Sequence, residues 1–195
     1  DLASIIAANN EKELQLFIEK LRKFSGIGES TVFNKNNYKL DRYSAALANG
    51  SSGDWCELDG GYLPALCHAG LYCLPSVLAE GEARGSTVEE MLLAFFCGYE
   101  VVARVARTFS YQKLVLHSHG SLAAIGSAAS VAFLRKFSLE EILDAICNSA
   151  TIVTPGPFNH AVQGGLIRNI WPGLGASNGI RAADLVQLGI TGTRQ

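Results

Sequence analysis

Leu14, Phe17, Ile18, Leu21 and Phe24 recur at three- and four-residue steps through NEKELQLFIEKLRKF. That period sets side chains on one face of an α-helix, so the stretch predicts an amphipathic helix. The next stretch, GIGESTVFNKNNYKL, loses the period. Its glycines, Asn-rich turn and β-prone triplets predict a short hairpin near residues 30–40. From Asp41 onward no sustained two-residue alternation occurs, and the chain reads helix, loop, helix. Gly85 stops one helix; Ser86 or Thr87, followed by Glu89 and Glu90, starts the next with a capping box. The same grammar recurs where Ser138 precedes Glu141 by three. The prediction is an all-α bundle of seven or eight helices with short connections.

Three stretches interrupt this regularity: NGSSGDWCELDGGYLPALCHAG, SYQKLVLHSHG and TPGPFNHAVQGGLIRNIWPGLGASNG. They hold all four histidines and both tryptophans. Glycine-rich irregular segments in a helical frame are where backbone approaches ligands, so chemistry is expected there. His117 and His119 stand together at the mouth of a small-residue helix that carries no charge until Arg135.

With 195 residues, 48% of them hydrophobic and 17% charged, the chain is long and apolar enough for one domain with its own core. Lys and Arg total 16 against 18 Asp and Glu, without a basic run, so no nucleic-acid partner is expected and a small anionic metabolite fits better. Five cysteines without a CxxC pair read as reduced core residues of a cytoplasmic protein. No apolar run approaches the ~20 residues of a spanning helix, so no membrane partner is expected. No HxxxH or HxxE spacing points to a metal.

SAALANG, HAGLYCLPSVLAEGEARGSTVEEMLLAFFCGYEVVARVAR, HSHGSLAAIGSAASVAFLRKFSLEEILDAICNSA and GASNGIRAADLVQLGITG, taken in order, resemble the MmgE/PrpD family. That family includes 2-methylcitrate dehydratase, cis-aconitate decarboxylase and iminodisuccinate epimerase. The resemblance runs from about Glu13 to Gly192. It implies that residues 1–195 form part of one helical domain, that complete members add a smaller α+β lid domain beyond it, that no metal or organic cofactor is used, and that the protein is a homodimer.

The resemblance also places a site. The family pattern His-x-x-Asp-Phe-Asp-Asp-Thr, followed by a His, is similar to DWCELDGGYLPALCHA. Asp54 then stands at the first His, Glu57 and Asp59 at the first two Asp, Gly60 and Gly61 at the third Asp and the Thr, and His68 at the closing His. His117, nine residues before Gly126, matches the next site histidine. Where the family carries Lys-x-Leu-His-x-Gly, this chain has RNIWPG, with Arg168 at the Lys and Trp171 at the His.

Histidine exchanges a proton near neutral pH, and arginine offers a permanently charged fork to a carboxylate. His117, His68 and Asp59 are therefore the expected catalytic group, with Arg168, Glu57 and Trp171 binding substrate. Asp59 or Glu57 would orient a histidine by accepting its second N–H. His119, matching no family site residue, reads as a capping or entrance residue, and His160 as structural. The implied activity is a lyase or isomerase acting on a small di- or tricarboxylate by proton transfer beside a carboxylate, foremost a 2-methylcitrate dehydratase-like reaction. A decarboxylase or epimerase is the alternative within the family. A catalytically silent helical scaffold or dimer partner is the alternative outside enzymes, favoured by Gly60, Gly61 and Trp171.

Overall fold

The computed structural model describes residues 1–109 and 114–193, so the first four residues of SYQKLVLHSHG lie outside the described residues. The described chain is all-α: α1 Leu2–Ala7, α2 Lys12–Leu21, α3 Arg42–Trp55, α4 Ala69–Arg84, α5 Val88–Thr108, α6 Ser118–Leu134, α7 Leu139–Thr151, α8 Asn159–Val162 and α9 Trp171–Gln187, with short 3₁₀ turns at Ala8–Asn10 and Leu166–Ile170. Two two-residue strands, β1 Ser30–Thr31 and β2 Lys39–Leu40, pair antiparallel, Ser30 with Leu40 and Thr31 with Lys39. The hairpin is therefore present.

The helix ends follow the local chemistry. Thr87 accepts from the Glu90 N–H, while Glu90 reaches back to the Thr87 N–H, and Ser138 and Glu141 repeat this exchange. Gly85 ends α4 at φ 66°, a left-handed conformation that glycine adopts without a Cβ clash. The number of helices exceeds the expected seven or eight because α1 and the four-residue α8 are too short to leave a periodic signal.

α6 is the central rod, packed by α4, α5, α7 and α9. It is small and apolar on every side, which permits burial all round. The α6–α9 contact needs glycine: a Cβ on Gly179 would collide with Ser127. Phe17, Leu21 and Tyr38 pack α2 and the hairpin onto α3, where Ala45, Ala46 and Ala48 are fully buried. Among the described residues no helix is long and apolar enough to cross a membrane.

Candidate active site

The C-terminal end of α3 and the N-terminal ends of α4, α6 and α9 meet at one end of the bundle, and the irregular stretches fill that junction. His68 is the N-cap of α4 and His117 the N-cap of α6. Residues 114–120 are fastened to the 153–158 loop: the His117 N–H donates to the Gly156 carbonyl (2.8 Å), the Phe158 N–H to Val115 (2.9 Å) and the Thr154 N–H to Gly120 (3.0 Å). Gly156 is required there, because a Cβ would stand 2.6 Å from the Trp171 ring.

Between these anchors lies a recess of about 90 Å³ lined by His68, His117, Ser118, Leu66, Leu116 and Phe158, among others. His117 stacks on Phe158, with centroids 5.4 Å apart and planes at 17°. Its Nδ1 accepts from the His119 N–H at 3.3 Å, which assigns the ring proton of neutral His117 to Nε2. Burial, with the Arg168 charge adding to it, pushes His117 down to about 3. His117 is therefore a neutral donor at neutral pH.

His68 keeps a third of its side chain in solvent, and its Nδ1 lies 2.6 Å from Asp59 Oδ2. Burial alone would raise the Asp59 carboxyl, but the His68 hydrogen bond and the nearby imidazoles reverse this and hold it below its usual range. Asp59 is thus an ionised partner that fixes the His68 ring, the role expected of it or of Glu57.

Behind the recess His119 is fully buried, its ring 4.3 Å from His117 and 4.7 Å from His68. Its Nδ1 lies 2.8 Å from the Tyr72 hydroxyl, and that hydroxyl donates to Ser118 Oγ at 3.0 Å. Its Nε2 lies 2.9 Å from Asp54 Oδ1 but out of line for a full hydrogen bond, so neither atom has a satisfied partner among the described residues. Burial, with the His68 and Arg168 charges, keeps His119 neutral. Asp54, also without exposure, is raised by burial to about 6 despite the attraction of Arg168.

Several sequence expectations change here. Capping falls to His117, whereas His119, read as a cap or entrance residue, is core. Arg168 does not line the recess with His68 and His117. Its Nη1 is held by Asp54 (2.8 Å) and Glu57 (3.2 Å), and it borders a separate polar cleft with His160 and Asn169. Glu57 orients no histidine; it reaches Arg168 from a backbone at φ 52°, rare for a residue other than glycine. Trp171, expected to bind substrate, is 2% exposed and forms a wall between His117, at 5.7 Å, and His160, at 6.1 Å. Tyr72 was not singled out from sequence, Asp54 was placed only at the family's first His with no role, and His119 was read as structural. The signal for His119 was its place in the first turn of a helix that is small and apolar nearly all round, on the side where His119 and Gly120 are buried while Ser118 and Ser121 keep some exposure.

All five cysteines are free, and burial raises the Cys67 and Cys73 thiols to about 12, far from reactive thiolates. No group of three or more His, Cys, Asp or Glu able to hold a metal ion occurs among the described residues. Among curated proteins, none matches the chain. The family model described as the MmgE/PrpD N-terminal domain matches residues 1–195, and the chain belongs to the MmgE/PrpD family.

Proposed function

We propose that this protein is a lyase of dehydratase type that moves a proton at a carbon beside a carboxylate of a small di- or tricarboxylic acid, with 2-methylcitrate-like dehydration as the leading reaction. The observation that carries the reading is the shared recess of His68, paired with Asp59, and His117, stacked on Phe158. His68, clamped by ionised Asp59 and open to solvent, is the group that exchanges the proton. His117, neutral with its proton on Nε2, donates a hydrogen bond to a substrate oxygen. The N-terminal ends of α4 and α6, which these two residues cap, supply positive dipole ends for a carboxylate. Arg168 acts at one remove, since Asp54 and Glu57 already occupy its Nη1. That same pairing is the observation favouring the second reading, a silent helical scaffold, because it takes the family-position cation out of the recess.

The test is deuterium incorporation. In D₂O, citrate-like and 2-methylcitrate-like acids incubated with the protein should lose carbon-bound protons beside a carboxylate, as followed by proton NMR, and His68→Gln should remove the exchange. Absence of exchange with all such acids in the wild type would support the scaffold reading.

A further inference from the structure

Ser118, Tyr72, His119 and Asp54 stand in a line from the recess wall to the buried end of α3. They are hydrogen-bonded as far as His119 Nδ1, and the line is closed by the 2.9 Å approach of His119 Nε2 to Asp54 Oδ1, which a small rotation of the ring would bring into alignment. Ser118 lines the recess. Its Oγ is 3.0 Å from the Tyr72 hydroxyl, that hydroxyl is 2.8 Å from His119 Nδ1, and His119 Nε2 is 2.9 Å from Asp54 Oδ1. Tyr72, His119 and Asp54 are fully buried, and among the described residues Asp54 Oδ1 and His119 Nε2 have no partner other than each other. A buried orphan pair at this distance is costly unless a proton is shared across it.

We propose that these four side chains are a proton relay that carries a proton between the recess and Asp54, with Ser118 as the group that meets the substrate.

Proton counting permits two states. With Asp54 protonated, its O–H donates to Nε2, Nδ1–H donates to Tyr72, Tyr72 donates to Ser118, and the Ser118 proton points into the recess. With Asp54 ionised, Nε2–H donates to Asp54, Tyr72 donates to Nδ1, Ser118 donates to Tyr72, and the Ser118 lone pairs face the recess. A proton arriving on Ser118 Oγ converts the second state into the first: the Ser118 proton passes to Tyr72, the Tyr72 proton to Nδ1, and the Nε2 proton to Asp54. One proton enters, no bond between heavy atoms changes, and Asp54 alone changes charge. The charged and titratable groups that face this line are Arg168 from the 3₁₀ turn, His68 and Asp59 from the α3–α4 connection, His117 from α6, and Cys67 beside Tyr72. Burial and Asp59 oppose ionised Asp54 while Arg168 favours it, which places the two states within reach of each other near neutral pH.

The relay stands on this geometry, whereas its use in turnover rests on the proton-transfer reading above. The experiment therefore needs no substrate. Imidazole ¹⁵N NMR of His119 in the whole chain, from about pH 5 to pH 8 around the ordinary histidine range, should show the proton moving from Nδ1 to Nε2 as pH rises, with the ring neutral throughout. Tyr72→Phe, which removes the Nδ1 partner but keeps the ring shape, should hold His119 as Nε2–H at every pH, and Asp54→Asn should abolish the pH dependence. A single tautomer in the wild type, an imidazolium, or an undisturbed exchange in Tyr72→Phe would overturn the relay. Where deuterium incorporation into an acid is seen, Ser118→Ala should slow it at least tenfold and leave the His119 exchange in place. An unaltered rate would remove Ser118 from the relay, and absence of incorporation in the wild type would count against the lyase reading alone.

Discussion

Glu80 in α4 and Asp54 in α3 are both carboxylates without solvent exposure, and both face an arginine, yet their surroundings differ in completeness. Glu80 accepts from Arg135 Nε at 2.8 Å and pairs with Arg42 Nη1 at 3.2 Å. Arg135 also donates to Asp184 (2.7 Å) and Gln187 (3.0 Å), and Tyr43 donates to Asp184 (2.7 Å). No buried atom of Glu80, Arg42, Arg135 or Asp184 is left over among the described residues. Around Asp54, by contrast, Asp54 Oδ1, His119 Nε2 and Arg168 Nε are all buried and unsatisfied. The Glu80 cluster ties α3, α4, α6 and α9 together far from the recess. The Asp54 cluster backs onto the recess and keeps protons that can move. A saturated buried network holds a fold; an unsaturated one calls for an explanation, and the relay proposed above supplies one here.

The largest effect is expected where the saturated network is broken. Glu80→Gln removes the buried charge that faces both Arg135 Nε and Arg42 Nη1 and leaves Arg135 only the partly exposed side of the cluster at Asp184. Urea unfolding should show a loss of about 3–5 kcal/mol. A loss below about 1 kcal/mol, the range of an exposed pair, would erase the distinction between the clusters.

Next comes the pH dependence that His117 adds to the site end. Its folded pKa lies near 3 against an ordinary 6.5, so the folded state binds fewer protons; stability is full above pH 6.5 and falls as pH drops towards 3. His117→Asn keeps an N-cap acceptor for the His119 N–H and removes the titration. Its stability between pH 6.5 and 4 should fall less steeply than the wild type's, by up to about 1.4 kcal/mol per pH unit. Parallel curves would place the low-pH sensitivity elsewhere.

The smallest effect sharpens the comparison from the water side. Arg104 and Glu100 pair at 2.9 Å across one turn of α5 with most of both side chains in solvent. Glu100→Ala should change stability by no more than about 0.5 kcal/mol. A distance matching those inside the bundle would then carry almost none of their energy.

The sequence made the frame legible because caps, stops and the period of α2 are local: Thr87 with Glu90, Ser138 with Glu141, and Gly85 each settle a boundary with neighbours in the chain. It also brought His68, Asp59 and His117 forward through family positions, and these three do meet. What it hid was long-range. Asp54 meets Arg168 across 114 positions and Tyr72 meets His119 across 47, and neither spacing leaves a periodic trace. Arg168 was expected to face substrate because it stands at the family's Lys position, and nothing local says that it folds against Asp54 and Glu57 instead. His119 reads as structural because it matches no family site position, yet its side of α6 is fully buried against the site.

The central claim is that Asp54 is buried for chemistry and Glu80 for stability, and the most direct measurement is urea unfolding of Asp54→Asn beside wild type at pH 4 and pH 8. A folded pKa near 6 against 3.8 means that the folded state of the wild type binds the proton more tightly; its contribution is intact at low pH and is lost as pH rises through 6. Relative to the wild type, Asp54→Asn should therefore gain about 2 kcal/mol between pH 4 and pH 8. A constant loss of about 3–5 kcal/mol at both pH values, the behaviour of a buried pair broken on one side, would make Asp54 a structural anchor like Glu80 and contradict the account.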